Sequence, residues 1–291
     1  MLFFTVQLLS LTWLGAETPF RTFSSEPYQI PESHVGNLKK FRYSWEGKKD
    51  FALIAESTST TWVVYFHSYG GSAAEIFTSP LIHPLWLEAV RAAGFGLVSF
   101  ETDGNSWMAP YVADGIHKAL AVIRSEYDVK NFIFIGGSMG GSGVLTYSVR
   151  YPDDVFAALA MCPVSDMALF YEESLKNPDP NFFMKSWPVA RHYGESELTQ
   201  KANFERNSVQ NNFEKLTMPL AISHGTADTL IPVSQSDKLA HLLKGKKDFI
   251  YFRYPEADHS FPSVQGFKDS WPWLLDRVKE KLDSEEKPEA N

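Results

Sequence analysis

Apolar side chains along this chain fall into short dense runs, separated by stretches with helical periodicity. Trp62-Val63-Val64-Tyr65-Phe66, Gly96-Leu97-Val98-Ser99-Phe100, Phe132-Ile133-Phe134-Ile135, Val155 to Met161, Leu220-Ala221-Ile222 and Phe249 to Tyr254 read as strands. The uninterrupted runs are of the kind buried on both faces of a sheet. Between them lie predicted helices: Pro84 to Ala93, closed by Gly94; one with Val112, Ile116, Ala119, Leu120 and Ile123 on a single face; one ending near Tyr151; and Val233 to Leu243. Ser270 is placed to cap a last helix with Pro272 in its first turn, where proline is tolerated. Phe41 to Glu46 and Asp50 to Glu56 flank Gly47-Lys48-Lys49 and read as a hairpin.

Strands alternating with helices predict an α/β protein, a mostly parallel sheet with helices on both faces. The hairpin adds antiparallel strands at one edge. With no Gly/Ser/Pro linker dividing it, residues 37–282 form one domain. The stretch 163–217 breaks the rhythm and reads as an irregular, aromatic-rich insertion carrying Phe170, Tyr171, Phe182, Phe183, Trp187, His192, Tyr193 and Phe204. Residues 17–36 are expected to be an N-terminal extension and 283–291 a flexible tail. Leu2 to Leu14 is apolar but shorter than the roughly 20 residues a spanning helix needs. It ends in Gly15-Ala16, which fits a signal peptide over residues 1–16 and a secreted or periplasmic location. No second run approaches membrane length, so no membrane span is expected in the mature chain.

The composition is that of a globular protein, 44% hydrophobic and 21% charged, which excludes a disordered or fibrous chain. A net charge of −8 makes nucleic acid an unsuitable partner. The single cysteine, Cys162, excludes an intrachain disulfide framework and a Cys-rich metal site. The eight histidines show no His-x-x-x-His spacing, so neither a metal nor another cofactor is expected.

Gly136-Gly137-Ser138-Met139-Gly140 lies between a predicted buried strand and a helix. A serine on such a turn is exposed at the carboxyl end of the sheet, and glycines around it let strand and helix approach closely. Ser142 repeats the local composition but falls inside the helix. A serine nucleophile needs a base, and the base needs a carboxylate to fix its tautomer. His259 follows the last strand and Asp228 the strand before it, giving the order serine, aspartate, histidine. Asp166 is the alternative acid. Asp258 is expected to point elsewhere, and His224 to make a structural hydrogen bond. The oxyanion of the tetrahedral intermediate requires two N–H donors. Met139 supplies one; the loop His67-Ser68-Tyr69-Gly70-Gly71-Ser72 supplies the other, from Tyr69 or, failing that, Ser68.

His67-Ser68-Tyr69-Gly70-Gly71, Gly136-Gly137-Ser138-Met139-Gly140, His224-Gly225-Thr226-Ala227-Asp228 and Asp258-His259-Ser260 resemble, in order, the motifs of the α/β-hydrolase superfamily. Asp103-Gly104-Asn105-Ser106-Trp107, leading through a helix to the serine, looks like bacterial esterases related to the prolyl-oligopeptidase catalytic domain. The resemblance implies the α/β-hydrolase fold and a hydrolytic triad of Ser138, Asp228 and His259. Ser68 stands where that family usually has glycine. The sequence shows no N-terminal propeller of the kind the large oligopeptidases use to restrict access, so esters are expected over peptides.

The expected activity is hydrolysis of carboxylic esters through an acyl-enzyme, on short-chain or carbohydrate-linked acyl groups. Trp107 and Trp187 are candidate stacking surfaces for a sugar or aryl ring. A peptidase of the same family is the alternative, with Glu172-Glu173 as a candidate amine anchor; a non-catalytic binding protein on this fold is another. The sequence carries no reading of oligomeric state.

Overall fold

The computed structural model describes residues 21–30 and 36–285. The expected signal peptide at 1–16 and residues 286–291 of the tail lie outside them. The described strands are β1 (Arg21–Tyr28), β2 (Leu38–Trp45), β3 (Lys48–Ala55), β4 (Thr61–Phe66), β5 (Gly96–Phe100), β6 (Asn131–Gly137), β7 (Ala157–Met161), β8 (Leu220–Gly225) and β9 (Phe249–Tyr254). They form a single sheet in the order β1-β2-β3-β5-β4-β6-β7-β8-β9. From β5 to β9 the pairing is parallel; β1, β2 and β3 pair antiparallel with one another, and β3 joins β5 antiparallel.

The helices are α1 (Glu75–Thr78), α2 (Glu88–Ala92), α3 (Pro110–Glu126), α4 (Met139–Arg150), α5 (Met167–Lys176), α6 (Pro180–Tyr193), α7 (Glu197–Asn207), α8 (Ser234–Leu242) and α9 (Phe267–Glu285). Successive strand residues face opposite sides of a sheet, so β4 feeds two cores. Trp62, Val64 and Phe66 point into one with the buried faces of α3, α4, α5 and α8. Val63 and Tyr65 point into the other with α1, α2 and α9. The central runs lack polar interruption because both faces are covered.

Four local expectations are corrected. The hairpin turns at Glu46-Gly47, not Gly47-Lys48-Lys49: both residues have positive φ (48° and 77°), as the tightest two-residue connection requires. The extension at 17–36 contributes β1, whose backbone pairs with β2 from Arg21 to Tyr28. The insertion is helical, forming α5 to α7, with Asp166 accepting from Leu169 N and Ser196 from Thr199 N at the helix starts. The last helix begins at Phe267, before Pro272, so Ser270 lies within it and is buried. Packing provides the reason: Phe267 stacks on Trp86 with ring centroids 4.9 Å apart and on Trp271 at 5.4 Å, holding a turn that proline alone would forbid. That helix continues to Glu285, into the expected tail.

The loop after β5 is tied to the hairpin by a carboxylate. Asp50 accepts hydrogen bonds from Phe51 N at 2.8 Å and Asp103 N at 2.9 Å. Burial nevertheless pushes its carboxyl up to about 7, reinforced by the negative charges of Asp103 and Glu101. A carboxyl raised above its unfolded value of 3.8 binds its proton more tightly in the folded state. Its contribution is therefore fully present below that value and lost as pH rises through about 7. Tm is expected to fall between about pH 4 and 7, and Asp50→Ala to flatten that part of the profile; an unchanged slope in the variant refutes the assignment.

Candidate active site

β6 runs directly into α4, and the chain reverses at Ser138 with φ 57° and ψ −121°. This is strained backbone for a residue with a side chain, and it aims the hydroxyl away from the sheet end. The neighbouring glycines are explained by distance. A Cβ on Gly136 would lie 2.5 Å from Gly140 C, and one on Gly140 would lie 2.1 Å from Phe66 O and 2.9 Å from His67 O. These obstacles are backbone atoms of the elbow and of β4, which cannot rotate aside. Gly140→Ala is thus expected to destabilise by at least about 3 kcal/mol, read as a shifted denaturation midpoint. A change near zero would show that the elbow relaxes.

The structure brings Ser138, Asp228 and His259 together. His259 Nε2 lies 2.9 Å from Ser138 Oγ and its Nδ1 lies 2.5 Å from Asp228 Oδ2. An ionised carboxylate only accepts, so Nδ1 carries the proton and Nε2 accepts from the serine hydroxyl. Asp228 is held from four directions. Its Oδ1 accepts from Leu230 N at 2.8 Å and Ile231 N at 2.9 Å; its Oδ2 faces His259 and, at 3.2 Å, His224 Nε2. Burial disfavours the charged form, but the hydrogen bonds from His224, His259 and Ile231 outweigh it and hold the carboxyl well below the usual range. Asp228 therefore stays ionised beside the imidazole.

His224 carries more than the single structural bond expected of it. Its Nε2 also lies 3.0 Å from Ile231 O, so that nitrogen is the donor, and Nδ1 accepts from Ser236 Oγ at 2.7 Å. The spacing of four residues from Asp228, on the exit from β8, was the available signal for this contact.

The other candidates are elsewhere. Asp166 caps α5, and Asp258 accepts from Ser260 N and Phe261 N within its own turn. Ser142 Oγ is buried in α4, donating to Ser138 O and accepting from Val164 N. Cys162 Sγ joins Asp228 and His259 in a group of described residues whose ligand atoms lie within 4.8 Å of one another. Burial and the neighbouring Asp228 charge push the thiol well up, keeping it protonated. Since thiolate is the metal-binding form, this group makes a poor metal site at neutral pH.

Met139 opens α4, where the backbone N–H lacks an intrahelical acceptor. On the facing loop, Ser68 N is engaged by Glu75 Oε2 at 2.8 Å, and Ser68 Oγ and Tyr65 Oη also bond the Glu75 carboxylate. Ser68 is thereby excluded as the alternative donor, and the serine that replaces the usual glycine acquires a role in fixing the loop. Further bonds hold the rest of it: Gly70 N donates to Asn105 Oδ1 at 2.7 Å, and Ala73 N to Glu101 Oε2 at 2.8 Å.

Ser138 and His259 open onto a cavity of about 320 Å³. Its walls are the loop Ser68-Tyr69, the segment from Glu75 to Trp86, Trp107, Leu230-Ile231 and Ser260 to Ser263. The two tryptophan candidates part here: Trp107 lines the cavity and Trp187 does not. Trp107 is not exposed (1%); it forms cavity wall, with Tyr69 and Phe170 packed against its ring. Trp187 is 57% exposed on α6 and does not line the cavity; the Arg191 guanidinium lies 5.7 Å from its ring centre. The insertion acts from behind: Tyr193 Oη donates to Trp107 O and Asn207 Nδ2 to Met108 O, clamping two residues with positive φ. Glu75, Trp86, Leu230 and Ile231 were missed by sequence reasoning. Trp86 sits in a π-helical turn, His83–Leu87, without the regular periodicity that marks a functional face.

A serine on a strained strand-to-helix turn, at the carboxyl end of a mostly parallel sheet with helices on both faces, defines an α/β-hydrolase. Residues 105–281 match the prolyl oligopeptidase family. The chain belongs to that family. No curated protein matches it by sequence. Among solved structures it is similar to a puromycin-hydrolyzing peptidase of Mycobacterium tuberculosis (14% identity, 84% of this chain and 45% of that one, TM-score 0.60). It is also similar to acetyl xylan esterase 1 from Thermoanaerobacterium sp. JW/SL YS485 (15% identity, 89% and 87%, TM-score 0.61) and to Est1E from Butyrivibrio proteoclasticus (14% identity, 82% and 99%, TM-score 0.60). The chain spans less than half of the mycobacterial peptidase. At these identities the likeness is one of fold.

Proposed function

We propose that the protein hydrolyses carboxylic esters through an acyl-enzyme, with Ser138 as nucleophile, His259 as general base and acid, and Asp228 as the carboxylate that holds the imidazole. The observation that carries this is His259 bridging the Ser138 hydroxyl and the Asp228 carboxylate at the floor of a cavity. Ser138 Oγ attacks the carbonyl as its proton passes to His259 Nε2, and the oxyanion is met by the backbone N–H groups of Met139 and Tyr69. The imidazolium returns the proton to the leaving alcohol, and water then repeats the sequence to release the acid. Among the described residues no helix is long and apolar enough to cross a membrane, and export directed by residues 1–16 would place the activity outside the cytoplasm.

Compact acyl groups suit a cavity of about 320 Å³ with Leu81 and Leu230 partly exposed at its wall. Turnover of p-nitrophenyl acetate, butyrate and octanoate by purified protein is the test. Serine-dependent rates falling from butyrate to octanoate are expected; equal or rising rates would overturn the short-acyl reading. Family membership favours a second reading, a peptidase. The Glu172-Glu173 pair proposed to anchor a peptide amine faces solvent on α5, outside the cavity. Aminoacyl anilides separate the two readings: cleavage faster than that of the esters would establish the peptidase.

A further inference from the structure

Among the described residues, the cavity wall contains one carboxylate and no lysine or arginine. Glu75 lines it, half-buried at the start of α1, and among the described residues no lysine, arginine or histidine forms an ion pair with it. Its partners are neutral: Ser68 N and Tyr65 Oη on Oε2, and Ser68 Oγ on Oε1. A carboxylate has about four acceptor positions, so these three leave capacity for one more donor. Among the described residues, neither lysine nor arginine lines the rest of the cavity, whereas the half-buried Tyr69 does, backed by the buried rings of Trp86 and Trp107. Aromatic faces attract cations, increasingly so as water is excluded. Asp228, buried behind His259, adds negative potential.

We infer that this cavity selects substrates bearing an ammonium group, which Glu75 and Tyr69 receive, and rejects anionic ones. The inference rests on the proposed hydrolysis and adds its substrate class. Glu75 thus has two roles: it holds Ser68 in the oxyanion loop, and it presents a fixed charge to the substrate. The charge can sit on either side of the scissile ester, and matched substrates distinguish the two. Choline butyrate against its uncharged carbon isostere places the cation on the leaving group. β-Alanine methyl ester against methyl butyrate and monomethyl succinate places it, or an anion, on the acyl group.

In at least one arm kcat/KM for the cation should exceed that of the neutral ester by at least about tenfold, with the succinate below both. Glu75→Gln should bring the cation-to-neutral ratio close to one. The ratio is the readout because the variant also loosens Ser68 and slows every ester. A wild-type ratio at or below one in both arms, with the neutral esters turned over, overturns the inference while leaving the hydrolase reading intact; so does a ratio unchanged by Glu75→Gln. If no ester is hydrolysed, the hydrolase reading fails. Calorimetric titration of tetramethylammonium into Ser138→Ala then decides the site: binding abolished by adding Glu75→Gln supports it, and absence of binding overturns it.

Discussion

Replacing Ser138 with alanine is expected to lower kcat by roughly four to six orders of magnitude on the ester the protein turns over best, with KM and fold retained. The change deletes one atom, Oγ, whose hydrogen bond is to His259 Nε2 at 2.9 Å. Alanine has the same Cβ as serine and meets the strained φ of 57° no worse, so the elbow keeps its geometry. The N–H donors, the cavity and the Asp228–His259 pair all remain, which is why some catalysis above the rate in water persists. The denaturation midpoint of the variant should stay within about 0.5 kcal/mol of wild type. Retained turnover in a folded Ser138→Ala protein would remove the nucleophile from the mechanism and reassign the activity.

The parts of this molecule that were legible in the sequence are those set by local pattern. Trp62 to Phe66 and Phe132 to Ile135 read as buried strands because a strand covered on both faces tolerates no polar position, and β4 and β6 are such strands. Ser138, Asp228 and His259 were found because each follows a strand, and parallel strands place their carboxyl ends on one edge. The cavity was not legible. Glu75 and Trp86 belong to short helical turns, and the burial of Trp86 depends on a segment about 180 residues later in the chain: its Nε1 donates to Ser263 O and its ring stacks on Phe267. Trp107 looked like an exposed loop residue because nothing nearby in sequence covers it; Phe170 and Tyr193 of the insertion do. Burial created by distant segments leaves no periodic trace, and composition alone cannot separate a stacking tryptophan from a packed one.

Asp228→Asn is expected to lower kcat by about 10⁴ with little change in fold, for a reason visible in its hydrogen bonds. The native carboxylate accepts on both oxygens: two backbone N–H groups on Oδ1, and His259 and His224 on Oδ2. An asparagine keeps its carbonyl oxygen toward Leu230 N and Ile231 N, where only an acceptor fits, so its amide NH₂ faces the two histidines. That NH₂ donates to His259 Nδ1, forcing the ring proton onto Nε2, the atom that must accept from Ser138. The ring then stays in place in the wrong tautomer. His224 meets the same reversal, but Ile231 O at 3.0 Å still takes its Nε2–H, so β8 and its loop keep their anchor. The effect should therefore fall on kcat rather than on stability. Asp228→Asn losing less than tenfold in kcat would show that Asp228 neither fixes the tautomer nor stabilises the imidazolium, and the search for the acid would return to the other carboxylates near His259.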